Sequence, residues 1–174
     1  MFRSIAAIVL SKEVLPDGRL KIKVFSHSEG KLICIHTPSK RPKPIGAPAL
    51  FTLEGLFKSR ITFTAKSYSA LETFFEPHHI RLHLFCLPLL DYYPYGEPSP
   101  FAFGRYLHAL RKSADEESAK RNALWFAAGV LFREGYLPEE PWLREFILTK
   151  KTGVPEKLIW KTVKRGLRAI EGKG

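Results

Sequence analysis

Cysteine is scarce in this chain: Cys34 and Cys86 are the only two in 174 residues. Their separation lacks the close pairing of a zinc ribbon or a disulfide framework, which leaves a reduced, cytoplasmic protein as the expectation. No stretch reaches the ~18 apolar residues of a membrane-spanning helix, so no membrane association is expected. The opening run Met1–Leu10 is followed at once by Lys12 and Glu13, without a small-residue cleavage pattern. It reads as a strand, not a signal peptide. A glycine-rich phosphate loop, a carboxylate cluster, and a Ser or Cys with an evident base are all missing, so no catalytic residue, cofactor or metal is expected.

What the chain has is apolar content and positive charge. Hydrophobic residues make up 45%, enough to bury a core without staples. The net charge is +11 and the pI is about 9.8, a balance that attracts polyanions and makes nucleic acid the leading partner class. The charge is unevenly placed. Lys and Arg outnumber Asp and Glu by 12 to 4 in residues 1–66 and by 9 to 3 in residues 142–174, but are outnumbered 7 to 10 in between.

Residues 19–43 hold the densest signal. Arg19, Lys21, Lys23 and Phe25 alternate with Leu20, Ile22 and Val24, which predicts a strand with one basic and one core face. Ser28-Glu29-Gly30 is turn chemistry and Lys31–Thr37 a returning strand, so the segment reads as a hairpin. The tract Lys40-Arg41-Pro42-Lys43-Pro44 follows, and its prolines predict a stiff, solvated, cationic loop. Ile5–Val14 is apolar at both parities, as a strand covered on both faces requires, and Pro16-Asp17-Gly18 forces a turn. Ala47–Phe57 and Arg60–Lys66 supply two further strands. Five short strands with no helix among them predict a small barrel, and an OB-fold fits the count.

From Tyr68 the apolar period changes to three and four, which predicts helices over Ser69–Phe75, His78–Leu90, Pro100–Lys112 and Asp115–Glu134, with Gly135 ending the last. Pro88 predicts an end or kink in the second. The final helix, opening at Pro155, carries Lys157, Lys161, Lys164, Arg165 and Arg168 on one side and Ile159, Val163, Leu167 and Ile170 on another. A basic amphipathic helix of this kind suits DNA, an acidic partner tail or an anionic surface. The fold class expected is thus α+β: a five-stranded OB-fold barrel over 1–67, then an all-α domain over 68–174.

The N-terminal strand and turn, the hairpin with Ser26-His27-Ser28-Glu29-Gly30-Lys31, the basic Pro-containing loop, two more strands, and a helical part containing Ala127-Ala128-Gly129-Val130-Leu131-Phe132-Arg133-Glu134-Gly135-Tyr136-Leu137-Pro138 together resemble the RecO family of bacterial recombination mediators over residues 4–140. The resemblance implies an OB-fold followed by a helical domain, binding of single- and double-stranded DNA, strand annealing, and a nucleoid-associated role in DNA repair. The implied partners are RecR and the single-stranded-DNA-binding protein, with RecA loading as the outcome. Many members carry a four-cysteine zinc site after the Gly-Tyr-Leu-Pro region; this chain has no cysteine there, so no metal is implied. It is also short for the family.

For DNA the expected residues are Arg19, Lys21, Lys23, Phe25, Lys31, Lys40, Arg41 and Lys43, with Lys58 and Arg60 beside the fifth strand. Phosphate contacts need only reachable positive charge, and Phe25 is the one ring on the basic face that could stack a base. The tail cations form a second basic surface. An alternative reading takes Trp142–Lys150, a glycine turn and Pro155–Ile170 as a helix-turn-helix reading a specific DNA site. A partner pocket for the acidic tail of a single-strand-binding protein is placed at Arg121, Trp125, Phe132 and Arg133. His79 and His83 have i, i+4 spacing but no third ligand near, and read as structural. The aromatics Tyr92, Tyr93, Tyr95, Phe101, Phe103 and Tyr106 read as core at the joint between two domains.

Overall fold

The computed structural model describes residues 2–37 and 48–172. The chain is α+β. Five strands, β1 (Phe2–Val14), β2 (Leu20–Ser26), β3 (Gly30–His36), β4 (Ala49–Phe57) and β5 (Thr62–Thr73), precede five helices. These are α1 (Pro77–Tyr92), α2 (Pro100–Arg111), α3 (Glu116–Arg133), α4 (Pro141–Thr149) and α5 (Glu156–Glu171). The strands form one sheet that closes as a barrel in the order β1-β2-β3-β5-β4. β1 closes the ring against β4, and only the β3–β5 pair is parallel.

The turns are where composition placed them. Gly18 (φ 81°) closes the β1–β2 turn with its N–H on the Leu15 carbonyl, and Gly30 (φ 72°) ends the β2–β3 turn; both need the left-handed conformation that glycine adopts without penalty. β1 is buried at both parities for a physical reason. Ile5, Ala7 and Val9 point into the barrel, whereas Ile8 and Leu10 point outward into a second core shared with the helices. A register shift between Val9 and Ser11 lets both sides be filled.

One expected helix is absent, and one expected helix end falls later. Ser69–Phe75 is not a helix: β5 runs on to Thr73, well past Lys66, because residues 67–73 pair with β4 from Glu54 back to Ala49. Backbone pairing overrides the local three-and-four spacing of the apolar residues. Pro88 does not end α1; the helix continues to Tyr92 with the proline inside it. The carbonyl that loses its donor belongs to Leu84, on an exposed turn where solvent can replace it.

The helices pack around α3, whose central stretch from Asn122 to Leu131 is buried. Asp115 caps α3 in a reciprocal box with Ser118. Gly135, at φ 77°, ends the helix as the sequence predicts. Barrel and helices share one core: Phe25 lies 5.5 Å from Tyr93 and 6.4 Å from Phe103 between ring centroids, with Ile8, Leu50 and Phe74 in the same cluster. Of the rings expected there, Tyr93 and Phe103 meet the barrel, joined by Phe25, a ring that the sequence placed elsewhere; Tyr95 lies over Lys31, Tyr92 is exposed and Tyr106 packs among the helices against Phe126.

Candidate nucleic-acid interface

The hairpin cations are not a free basic face. Arg19 meets Asp17 at 2.7 Å, Lys21 meets Glu13 at 3.1 Å and Lys23 meets Asp91 at 3.1 Å. The Arg19 Nε–H and its backbone N–H both donate to the Asp17 carboxylate and hold that carboxyl below its usual pKa. Each pair is nearly neutral when seen from beyond a Debye length of about 8–10 Å, so the hairpin adds little to the long-range field. Exposed pairs of this sort are worth about 0–1 kcal/mol and can yield to a phosphate on contact.

Lys31 is further from the expectation. Its side chain is only 8% exposed, its ammonium lies 3.2 Å from the Asp91 carboxylate and 4.6 Å from the Tyr95 ring centre, and it also donates to the Asp91 backbone carbonyl. Burial pulls the Asp91 carboxyl upward, but hydrogen bonds from Lys23 and Lys31 outweigh it, and its pKa falls below the usual carboxylate range. Phe25 is fully buried and offers no stacking surface. Its register partner across the hairpin is Lys31, so the same face that starts basic at Lys21 ends as the seat of the helical part. Alternation assigned the face correctly; what covers it lies 60 residues on.

Lys58 and Arg60 stay exposed on the turn between β4 and β5, without an ion pair among the described residues. Ser59 holds that turn by accepting the N–H groups of Ile61 and Thr62. With Arg3, Glu29, Phe57 and Ser59, Arg60 lines an open cleft of about 400 Å³ at the Phe2 end of β1. Arg19 sits at the Val14 end, so the barrel cations fall at opposite ends rather than along one track. Lys40, Arg41 and Lys43 lie outside the described residues.

The second group of cations lies on α5. Lys157, Lys161, Lys164, Arg165 and Arg168 are all exposed on α5 and make no ion pair among the described residues, while Ile159, Thr162, Val163 and Gly166 are buried beneath. Gly166 is where α5 crosses α3 closely; a Cβ there would come within 2.8 Å of Leu137. Lys161, Lys164, Arg165 and Arg168 edge an open groove of about 550 Å³ whose apolar lining includes Pro138, Trp142 and Leu158. Nothing in the sequence singled out Trp142 and Leu158 for this groove, because they come from different helices.

The proposed partner pocket does not assemble. Arg121 and Arg133 stand at opposite ends of α3, about 18 Å apart along its axis. Arg121 donates to the Lys150 carbonyl at 2.8 and 3.1 Å, and Arg133 lies 4.7 Å over the Phe101 ring. Trp125 is buried, its indole N–H held by the Ile147 carbonyl at 2.9 Å, and Phe132 packs against the core. His79 and His83 do not converge either. His83 meets the Tyr106 hydroxyl, and burial lowers its pKa to about 4; His79 rests against Phe74. Cys34 and Cys86 are buried in separate cores, and burial pushes the Cys34 thiol up to about 12 and raises the Cys86 thiol well above its ordinary value. No helix among the described residues is long and apolar enough to cross a membrane. No protein-family model and no curated protein matches the sequence.

Proposed function

We propose that this chain is a non-enzymatic DNA-binding protein of the recombination-mediator kind, an OB-type barrel joined to a helical part that carries the main phosphate-binding surface on α5. The observation that carries it is the contrast in pairing: five α5 cations face solvent without an ion pair among the described residues, whereas the hairpin cations are matched by Asp17, Glu13 and Asp91. A five-stranded closed sheet in the order β1-β2-β3-β5-β4 supports the OB assignment, in which the β1–β2 and β4–β5 loops border the ligand surface. Here the β4–β5 turn holds Lys58 and Arg60 without an ion pair among the described residues, while Arg19 on the β1–β2 turn is matched by Asp17. Cations on α5 and on the β4–β5 turn neutralise two strands, release their counterions and lower the repulsion that slows pairing, so annealing of complementary strands is the activity that fits.

The α5 groove also suits a protein partner. Trp142 and Leu158 offer an apolar floor and Lys161, Arg165 and Arg168 a cationic rim, the chemistry that the acidic tail of a single-strand-binding protein needs, and it replaces the pocket expected on α3. RecR and RecA loading belong to the same proposal. The test is anisotropy of a labelled single-stranded oligonucleotide titrated at several salt concentrations with the intact chain and with Lys161→Glu/Lys164→Glu/Arg168→Glu. Substitution is preferable to removing the tail, because Leu143, Phe146 and Val163 belong to the shared core. Tight, salt-steep, sequence-insensitive binding that weakens in the triple variant supports the reading. Unchanged binding removes α5 from it, and binding confined to one sequence favours the helix-turn-helix alternative.

A further inference from the structure

Away from α5, a second group of cations converges on one tryptophan. Arg105 lies with its guanidinium carbon 3.4 Å from the Trp125 ring centre, the Lys150 ammonium is 4.4 Å from the same ring, and the His108 ring is 5.2 Å from it. Lys150 donates to His108 Nε2 at 3.1 Å and to Asn122 Oδ1 at 2.9 Å. Arg105 and His108 lie on one stripe of α2, and Lys112, which caps its end, follows a turn later.

None of Arg105, Lys112 or Lys150 makes an ion pair among the described residues. What faces them is backbone: Arg105 donates to the Trp125 carbonyl of α3 and, at the carboxyl end of α4, to that of Ile147, where Arg121 donates to the Lys150 carbonyl. A helix end is equivalent to roughly half a negative charge, too little to balance this many cations. The imbalance is felt by the groups themselves. After burial, which is the larger cause, the charges of Arg105 and Lys112 lower the pKa of Lys150, and those of Lys150, Lys112 and Arg105 lower that of His108.

Lys150 is also the only described residue other than glycine with a positive φ, 60°, a conformation that favours glycine and ends α4. A non-glycine residue held there, with its ammonium turned in toward His108 and Asn122, is the kind of local strain found at ligand sites. We infer that Arg105, His108, Lys112 and Lys150 form a binding site for a phosphate group at the junction of α2, α3 and α4. His108 and Lys112 are exposed and supply the entrance, while Arg105 and Lys150, held in place by their own hydrogen bonds, supply positive charge behind them. The phosphate comes either from the phosphodiester of a nucleic-acid strand or from a free phosphate or nucleotide. This site shares no residue with the α5 surface, so its failure leaves the proposal above standing.

The test is NMR of the intact chain titrated with inorganic phosphate against chloride at constant ionic strength. The Trp125 indole N–H and the His108 ring signals are followed. Saturable shifts of both are expected, lost in Lys150→Gly and reduced in Lys112→Gln. Glycine at 150 removes the ammonium while relieving the positive φ, so the fold is retained and a loss of binding is not a loss of structure. Shifts that chloride reproduces, that persist in both variants, or that fail to occur overturn the site. A short single-stranded oligonucleotide that produces the same shifts and competes with inorganic phosphate identifies the phosphodiester as the source. Shifts with phosphate or a nucleotide but none with the oligonucleotide identify a free phosphate.

Discussion

Lys31 and Asp91 stand 60 positions apart in the chain and 3.2 Å apart in space, joining the barrel to the end of α1. The contact does not act alone. Gly96 N–H donates to the Lys31 carbonyl at 2.9 Å, Arg60 donates to the Gly96 carbonyl at 3.4 Å, and the loop after α1 lies flat against the hairpin turn. Lys31 is thereby a structural lysine, and the basic face of the hairpin is where the helical part is seated.

Asp91→Asn leaves the Lys31 ammonium buried beside a neutral amide. Because the Asp91 side chain is itself 45% exposed and partly screened, the expected cost is about 1 kcal/mol, at the low end for a charged hydrogen bond. The pH dependence has a definite sign. The Asp91 carboxyl is held below its unfolded pKa, so its contribution is present above about pH 4 and is lost as pH falls through the folded value. Urea midpoints between pH 7 and pH 3 should fall more steeply for the native chain than for Asp91→Asn.

Phe25→Ala should destabilise the fold by about 3–5 kcal/mol, the cost of emptying an aromatic site in a packed core. Oligonucleotide affinity of the fraction that remains folded should be little changed. A large loss of affinity at unchanged stability would return Phe25 to the role of a stacking platform.

Gly30 and Gly18 both have positive φ, but their surroundings differ. A Cβ on Gly30 would stand 2.2 Å from the Glu97 carbonyl oxygen, while one on Gly18 meets nothing within 4 Å. Gly18→Ala should cost about 1 kcal/mol for the backbone conformation alone. Gly30→Ala should cost about 2–3 kcal/mol, since the loop after α1 must also move. Equal thermal shifts in the two variants would mean that the loop does not press on the hairpin.

Neutralising phosphates with α5 gives a quantitative expectation for the triple charge-reversal variant. If Lys161, Lys164 and Arg168 each contact one phosphate of a single strand, the slope of log affinity against log salt should become shallower by about 2. Lys21→Gln, whose partner Glu13 already offsets its charge, should leave the slope almost unaltered.

Cys34 and Cys86 should resist a thiol reagent in the native chain and react on unfolding, since burial holds both thiols protonated. Reaction of either thiol at native-state rates at pH 8 would show that one of the cores opens.

Much of the fold was legible because its signals are local. Alternation in Leu20–Phe25 gave the faces of β2, Gly18, Gly30 and Gly135 gave the ends, and the three-and-four spacing from His78 onward gave the helices. The α5 cations were legible too, since an amphipathic helix declares its solvent face by period. Residues 69–73 were misread because their spacing fits a helix while their backbone partners are in β4. Phe25 and Lys31 were placed on the correct face with the wrong neighbours.

The sequence by itself determined where most of the strands and helices lie, which way each side chain points from its own backbone, and where positive charge is concentrated, because these depend on residues within a few positions of one another. Tertiary structure alone decided which cations stay free. Asp91 reaches Lys23 and Lys31 from the end of α1, Lys150 reaches Trp125 from the end of α4, and Trp142 meets Leu158 across a groove. A charge is cancelled or left available by whatever lies within a few ångströms of it, and chain folding, not chain order, sets that distance.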